Sequence, residues 1–140
     1  TIAAMDSAKL TEAAKADLKD ANKYVLWDDK GTVFASNFQV NSQELKPITA
    51  TLGERDEAIK NGMVLNGIRY EVHRHHPPLV YGRTMTTTPE TSEGIALCKI
   101  ESGATGGPAY GLITYQMPNI SARMVPILQN FCTQHLSAAS

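Results

Sequence analysis

The chain has 140 residues, 42% of them apolar and 19% charged, with a formal net charge of −1. That length suits one domain over residues 1–140 with a single core, and the near-zero charge excludes bulk electrostatic binding to nucleic acid. No run of about 18 apolar residues exists, which excludes a membrane-spanning helix, and charges interrupt every apolar stretch of "TIAAMDSAKLTEAAKADLK" before a signal-peptide core can form.

The spacing of Leu10, Ala13, Ala14 and Leu18 predicts a helix over 7–22, with Asp6 or Ser7 as its cap. Lys15, Lys19 and Lys23 recur four apart on another face, as on a solvated surface; a lipid-binding stripe is the alternative. "KYVLWDDKGTVFASN" (23–37) predicts a hairpin that turns from Asp28 to Gly31. "NSQELKPITATL" (41–52) predicts a short helix capped by Asn41 or Ser42, with Pro47 tolerated only near the first turn. "ERDEAIKNG" (54–62) adds a helical turn stopped by Gly62. Asn66-Gly67, set between apolar runs, predicts a second hairpin. Beyond the His76-Pro77-Pro78 break, strands are expected over 78–85, 94–100 and 109–115. A last helix is expected over about 120–136, carrying Met124, Ile127, Leu128, Phe131 and Leu136, with Pro126 kinking it or moving its start. The order is helix, two strands, short helix, about five strands, helix. Short turns between successive strands make the sheet antiparallel and meander-like. The expected fold class is α+β: a central antiparallel sheet of about 5–7 strands with the two terminal helices together on one face.

Several stretches raise the question of chemistry. "ESGATGGPAYG" has no lysine placed to reach a phosphate and leads into a strand rather than a helix, so it is expected to be the bend of a hairpin. In "YEVHRHH", strict alternation would put His73 and His75 on one face and His76 on the other, without an obvious third metal ligand. The same alternation sets Arg69, Glu71, His73 and His75 against Tyr70, Val72 and Arg74, so both faces carry polar groups and the strand is expected to extend past the core into a partner-facing surface. No nucleophile signature such as GxSxG is present, and the carboxylates of Asp28 and Asp29 lie in a turn; enzymatic activity is not expected. Cys98 and Cys132 are far apart in the chain and share no CxxC spacing. They are expected to be buried reduced thiols, with a disulfide as the alternative.

Four stretches, in order, resemble the profilin family. "YVLWDDKGTVFASN" resembles its first hairpin, where an aromatic commonly takes the place of Phe34. "NGMVLNGIRYEV" resembles the segment in which a Gly-rich turn precedes a basic residue and Tyr. "GIALCKIE" is similar to the family's GI-x-I-x-K-T strand, and "YGLITYQMPNISARMVPILQNF" to its penultimate strand, turn and C-terminal helix. The resemblance runs from about Lys23 to the C-terminus. It implies a cytoplasmic, cytoskeleton-associated binder of actin monomers that regulates filament assembly, needs no cofactor or metal, and has proline-rich proteins and phosphoinositides as further ligands. Carried over by position, it implies actin-binding roles for Arg69, Val72, Arg74, Arg83, Ser121, Arg123 and Met124, with Val72 and Met124 adding apolar area. Tyr81 stands where the family has a basic residue, and Pro126 stands near an acidic one. Phe34 and Phe131 match two aromatic positions of the proline-rich-ligand site, but the first helix supplies none, Tyr24 being the first aromatic. That binding is therefore expected to be weak or its groove shifted, and a core role for Phe34 and Phe131 is the equal alternative. "TTTPETSEG" (86–94) is longer than the usual connection. The rivals are a longin- or roadblock-like scaffold domain for small GTPase or trafficking complexes, whose helix lies between strands, and an enzyme or metal protein built on His73–His76.

Overall fold

The computed structural model describes residues 6–85 and 88–138. Helix α1 spans Ser7–Asp17, and the Asp6 carboxylate caps it by accepting the Lys9 N–H at 3.1 Å. It stops short of residue 22 because Asn22 already donates its backbone N–H to Thr114 and enters the sheet. Strands β1 (Lys23–Asp28) and β2 (Val33–Ser36) form the first hairpin. Its turn is held by Asp28 Oδ1, which accepts the N–H groups of Lys30 and Thr32, both at 2.9 Å.

A 3-10 turn, Ser42–Glu44, is capped by Asn41 and runs into α2 (Leu45–Ala50), where Pro47 occupies the first turn as its missing N–H requires. Helix α3 (Arg55–Asn61) ends at Gly62, whose φ of +65° reverses the chain. Strands β3 (Met63–Leu65) and β4 (Ile68–His76) come next. They are joined through Asn66 and Gly67 at φ +51° and +78°, the left-handed pair of a two-residue hairpin. Glu44, at the end of the 3-10 turn before α2, fastens this hairpin by accepting both backbone N–H groups, at 2.7 and 3.0 Å. Strands β5 (Leu79–Arg83), β6 (Glu93–Ile100) and β7 (Ala109–Gln116) complete the sheet, and α4 (Ser121–His135) closes the order. The glycine-rich segment is the bend between β6 and β7. Thr86 and Thr87, in the expected long connection, lie outside the described residues.

The seven strands lie in the order β2-β1-β7-β6-β5-β4-β3, every neighbouring pair antiparallel. This is a meander with one exception: β1 pairs with β7, from Lys23 opposite Thr114 to Asp28 opposite Ala109. Strand β7 is consequently central and buried on both faces, which divides the interior in two. On one face α1 (Leu10, Ala14, Leu18) and α4 (Met124, Leu128, Phe131) cover Leu26, Ala96, Ile113 and Tyr115. On the other, Leu45 and Ile48 of α2 pack with Val25, Trp27, Tyr70, Leu97 and Leu112. The expected single core is therefore two apolar layers sharing one sheet. Packing of the two terminal helices against each other, on one face, separates this fold from the longin and roadblock arrangement. Helix α4 begins at Ser121 and passes through Pro126 without a shift of its start. Pro126 is exposed, and the carbonyl it leaves unbonded belongs to Ala122, which also faces solvent.

Candidate partner-binding surface

The surface begins with an irregularity in β4. Glu71 pairs with Arg83 and Val72 with Gly82, but the next pair is Arg74 with Tyr81, leaving His73 as an extra residue. A β-bulge of this kind resets which side chains share a face. Val72 lies opposite Gly82 and belongs to the apolar layer under α2, whereas Arg74 lies opposite Tyr81, which packs against the layer under α4. The expected alternation therefore fails beyond Val72. Arg74 joins the face of Arg69 and Glu71, and His75 turns to the α2 side, where Nε2 lies 2.9 Å from the Thr51 carbonyl oxygen. His73 and His75 do not share a face. Gly82 is what admits the bulge, since a Cβ there would sit 1.7 Å from the Glu71 carbonyl oxygen.

With the bulge in place, β4 and β5 present His73, Arg74, Tyr81 and Arg83 to the first turns of α4, which contribute Ser121, Ala122, Val125 and Pro126. Together they line a cleft of 570 Å³. The start of α4 is tied down. Ser121 Oγ lies 2.8 Å from the Tyr115 hydroxyl, and Gly94 gives the Tyr115 ring its room, because a Cβ there would meet the ring at 2.3 Å.

The four arginines of this region differ in their commitments. Arg69 makes a two-point pair with Glu71 (Nη2 to Oε2 3.0 Å, Nε to Oε1 3.2 Å) and donates also to the Lys60 carbonyl at 3.0 Å. The pairing holds the Glu71 carboxyl below the usual range, chiefly through these hydrogen bonds, and raises Arg69 in turn. Arg123 is engaged by Asp20 Oδ2 and Asn119 Oδ1, both at 2.5 Å, so it links the chain after α1 to the start of α4 and lowers the Asp20 carboxyl. Among the described residues Arg83 donates to neutral groups, Ser92 Oγ at 3.0 Å and the Ser92 carbonyl at 3.4 Å. Arg74 donates to the His73 carbonyl at 3.3 Å. Among the described residues, Arg74 and Arg83 are the members of this group whose charge no carboxylate balances.

The expected apolar contribution is corrected. Val72 is 5% exposed and Met124 fully buried, each inside one of the two layers, so neither has surface to offer. Val64, opposite Arg69 in β3 and 40% exposed, offers aliphatic surface on that face. Val64 is absent from the expected contacts, in which the hairpin signal at Asn66-Gly67 is not carried through to the partner of Arg69. The register of the two-residue hairpin is the signal that finds it, since a loop of Asn66 and Gly67 sets Leu65 opposite Ile68 and Val64 opposite Arg69.

Phe34 and Phe131 are 7% and 2% exposed and lie in the layer shared by α1 and α4. They act as core residues and present no open ring face. The Phe131 ring lies 4.6 Å from that of His135, and His135 Nε2 lies 3.6 Å from Asp17 Oδ2, so this pair of side chains spans the seam between the terminal helices. Trp27 lies on the other side of the sheet, stacked on Tyr110 at 5.4 Å. Among the described residues no group of three His, Cys, Asp or Glu side chains converges for a metal, and no helix is long and apolar enough to cross a membrane.

The profilin family model matches residues 4–104. No curated protein sequence matches. Among solved structures, the chain superposes on profilin II of Acanthamoeba castellanii with a TM-score of 0.70 and 14% identity, over 90% of this chain and 93% of that one. It superposes on Schizosaccharomyces pombe profilin with a TM-score of 0.70 and 14% identity, over 92% and 98%. With LokiProfilin1 from its complex with rabbit actin the TM-score is 0.68 and the identity 15%, over 94% and 96%. At such identities the superpositions speak for the fold, while the matched residues stop before β7 and α4.

Proposed function

The chain belongs to the profilin family, and on that premise we propose that it binds actin monomers and regulates filament assembly by stoichiometric binding, without chemistry. The family match carries this reading; the arrangement of the β4–β5–α4 face supports it. Actin is acidic, and Arg74 and Arg83 bring two unbalanced cations to the mouth of one cleft. Such charges steer encounter and fix orientation more than they add affinity. Val64 supplies exposed apolar area on the same face, and Ser121 a hydroxyl at its rim. Arg69 and Arg123 act mainly by shaping the surface, since each already has a carboxylate partner. The whole chain serves as one domain, in the cytoplasm and with the cytoskeleton. Proline-rich ligands bind weakly, because Phe34 and Phe131 are buried and grooves for such ligands need exposed rings. Phosphoinositides are further ligands by family membership alone.

Assembly of pyrene-labelled actin tests the reading. Wild type at tens of micromolar should slow assembly, and the Arg74→Glu/Arg83→Glu double variant, with an unchanged circular dichroism spectrum, should need about 10-fold more protein for the same effect. Lack of any effect by wild type overturns the proposal.

A further inference from the structure

Cys98 and Cys132, distant in sequence, meet inside the layer beneath α4. Cys98 projects from β6 directly opposite Gly111 of β7, and both cysteines are buried. The Cys132 sulfur lies over Gly111, 2.4 Å from where a Cβ on that residue would stand. Opposed residues of an antiparallel pair are about 5 Å apart, so the missing side chain at 111 lets Cys132 reach across to its counterpart on β6. Both side chains belong to the same buried apolar layer and meet at the gap over Gly111. We propose that Cys98 and Cys132 are an oxidation site, closing into an intramolecular disulfide that locks α4 to β6 when the protein meets a hydroperoxide.

The acidities of the two thiols give the order of steps. The neighbouring Cys132 holds the Cys98 thiol below its ordinary range, while the same interaction and burial push the Cys132 thiol well up. Cys98 is therefore the attacking sulfur. Its thiolate takes the terminal oxygen of the peroxide, the O–O bond breaks, and hydroxide leaves to become water; Cys98 is now a sulfenic acid. The Cys132 sulfur then attacks it, the S–O bond breaks, and a second water leaves with the Cys132 proton. Two thiols have lost two electrons and two protons, and one hydrogen peroxide has become two waters. Access to the buried pair requires local opening of α4, so the reaction is slow, not absent.

The inference is independent of actin binding, and its test uses no actin. Purified protein is held with hydrogen peroxide for hours, then denatured and treated with an alkylating agent. Intact mass should fall by about 2 Da with neither cysteine alkylated, and digestion should yield a peptide joining residues 98 and 132. The thermal midpoint should rise by roughly 5–10 °C, because the closed loop restricts the unfolded chain. Cys98→Ser should abolish both changes. Two alkylatable thiols after treatment, disulfide-linked dimers, or oxygen added separately to each cysteine would each overturn the proposal. These readouts come from wild type, so they hold even if the serine variant does not fold.

Discussion

Gly111 is a point where three elements converge with no room for a side chain. It stands between Leu26 on β1 and Cys98 on β6, with α4 directly above. A methyl group there would meet Cys132 Sγ at 2.4 Å, and Leu128 Cδ1 and Leu26 Cδ2 at 3.3 Å. The first contact requires a shift and the other two leave little space for it, so Gly111→Ala is expected to destabilise by about 1–3 kcal/mol in urea unfolding. An unchanged midpoint would show that α4 sits further from β7 than the structure places it. Glycines inside "YGR" and "AYGLITY" are visible in the sequence, but what each one admits is not. Gly82 makes space for a carbonyl of the neighbouring strand, and Gly111 makes space for a sulfur 21 residues further along.

At the scale of elements, the legible features are those with local causes. The Asp28–Gly31 turn, the Asn66-Gly67 hairpin and the stop at Gly62 each arise from the conformations those residue types favour. The bulge at His73 is not legible, because a one-residue insertion leaves the apolar pattern before it intact and changes only the facing of the residues after it. That single displacement decides the candidate site: without it Arg74 would point into the α2 side, away from Arg83. Helix α4 shows the reverse case, a strong local signal that tertiary packing overrides. Pro126 removes a helical hydrogen bond, yet the helix continues because Met124, Val125 and Leu128 around it are buried. Pro126→Ala restores the bond to Ala122 and should raise stability by about 1–2 kcal/mol, read as a higher urea midpoint. A lower midpoint would mean that the proline ring makes packing contacts worth more than the bond.

For the molecule as a whole, the two apolar layers imply a shared response to alkali. Tyr24, Tyr70, Tyr110 and Tyr115 all have phenols raised above the ordinary value of 10.0, with burial the largest cause in each. Carboxylates add to it at Tyr70, whose hydroxyl donates to Glu93, and at Tyr110, whose hydroxyl donates to Asp29 at 2.7 Å. Because the folded values lie higher, the unfolded chain releases these protons first. The stabilising difference is full below about pH 10 and is lost as pH climbs beyond it. Phenolate absorbance from these four residues should therefore appear together with loss of the circular dichroism signal; four phenols ionising near pH 10 in a folded protein would contradict the burial described. The division into two layers is hidden from the sequence because it depends on β7 lying between β1 and β6, a pairing between distant parts of the chain that no short window reveals. That same pairing has a consequence for biosynthesis. While a ribosome is still making the chain, β1 and β2 emerge early, but the strand that must cover the inner edge of β1 is the last of the seven to arrive. Throughout that interval the nascent hairpin exposes an unpaired edge, an opening for chaperones and a hazard where translation stalls before Ala109.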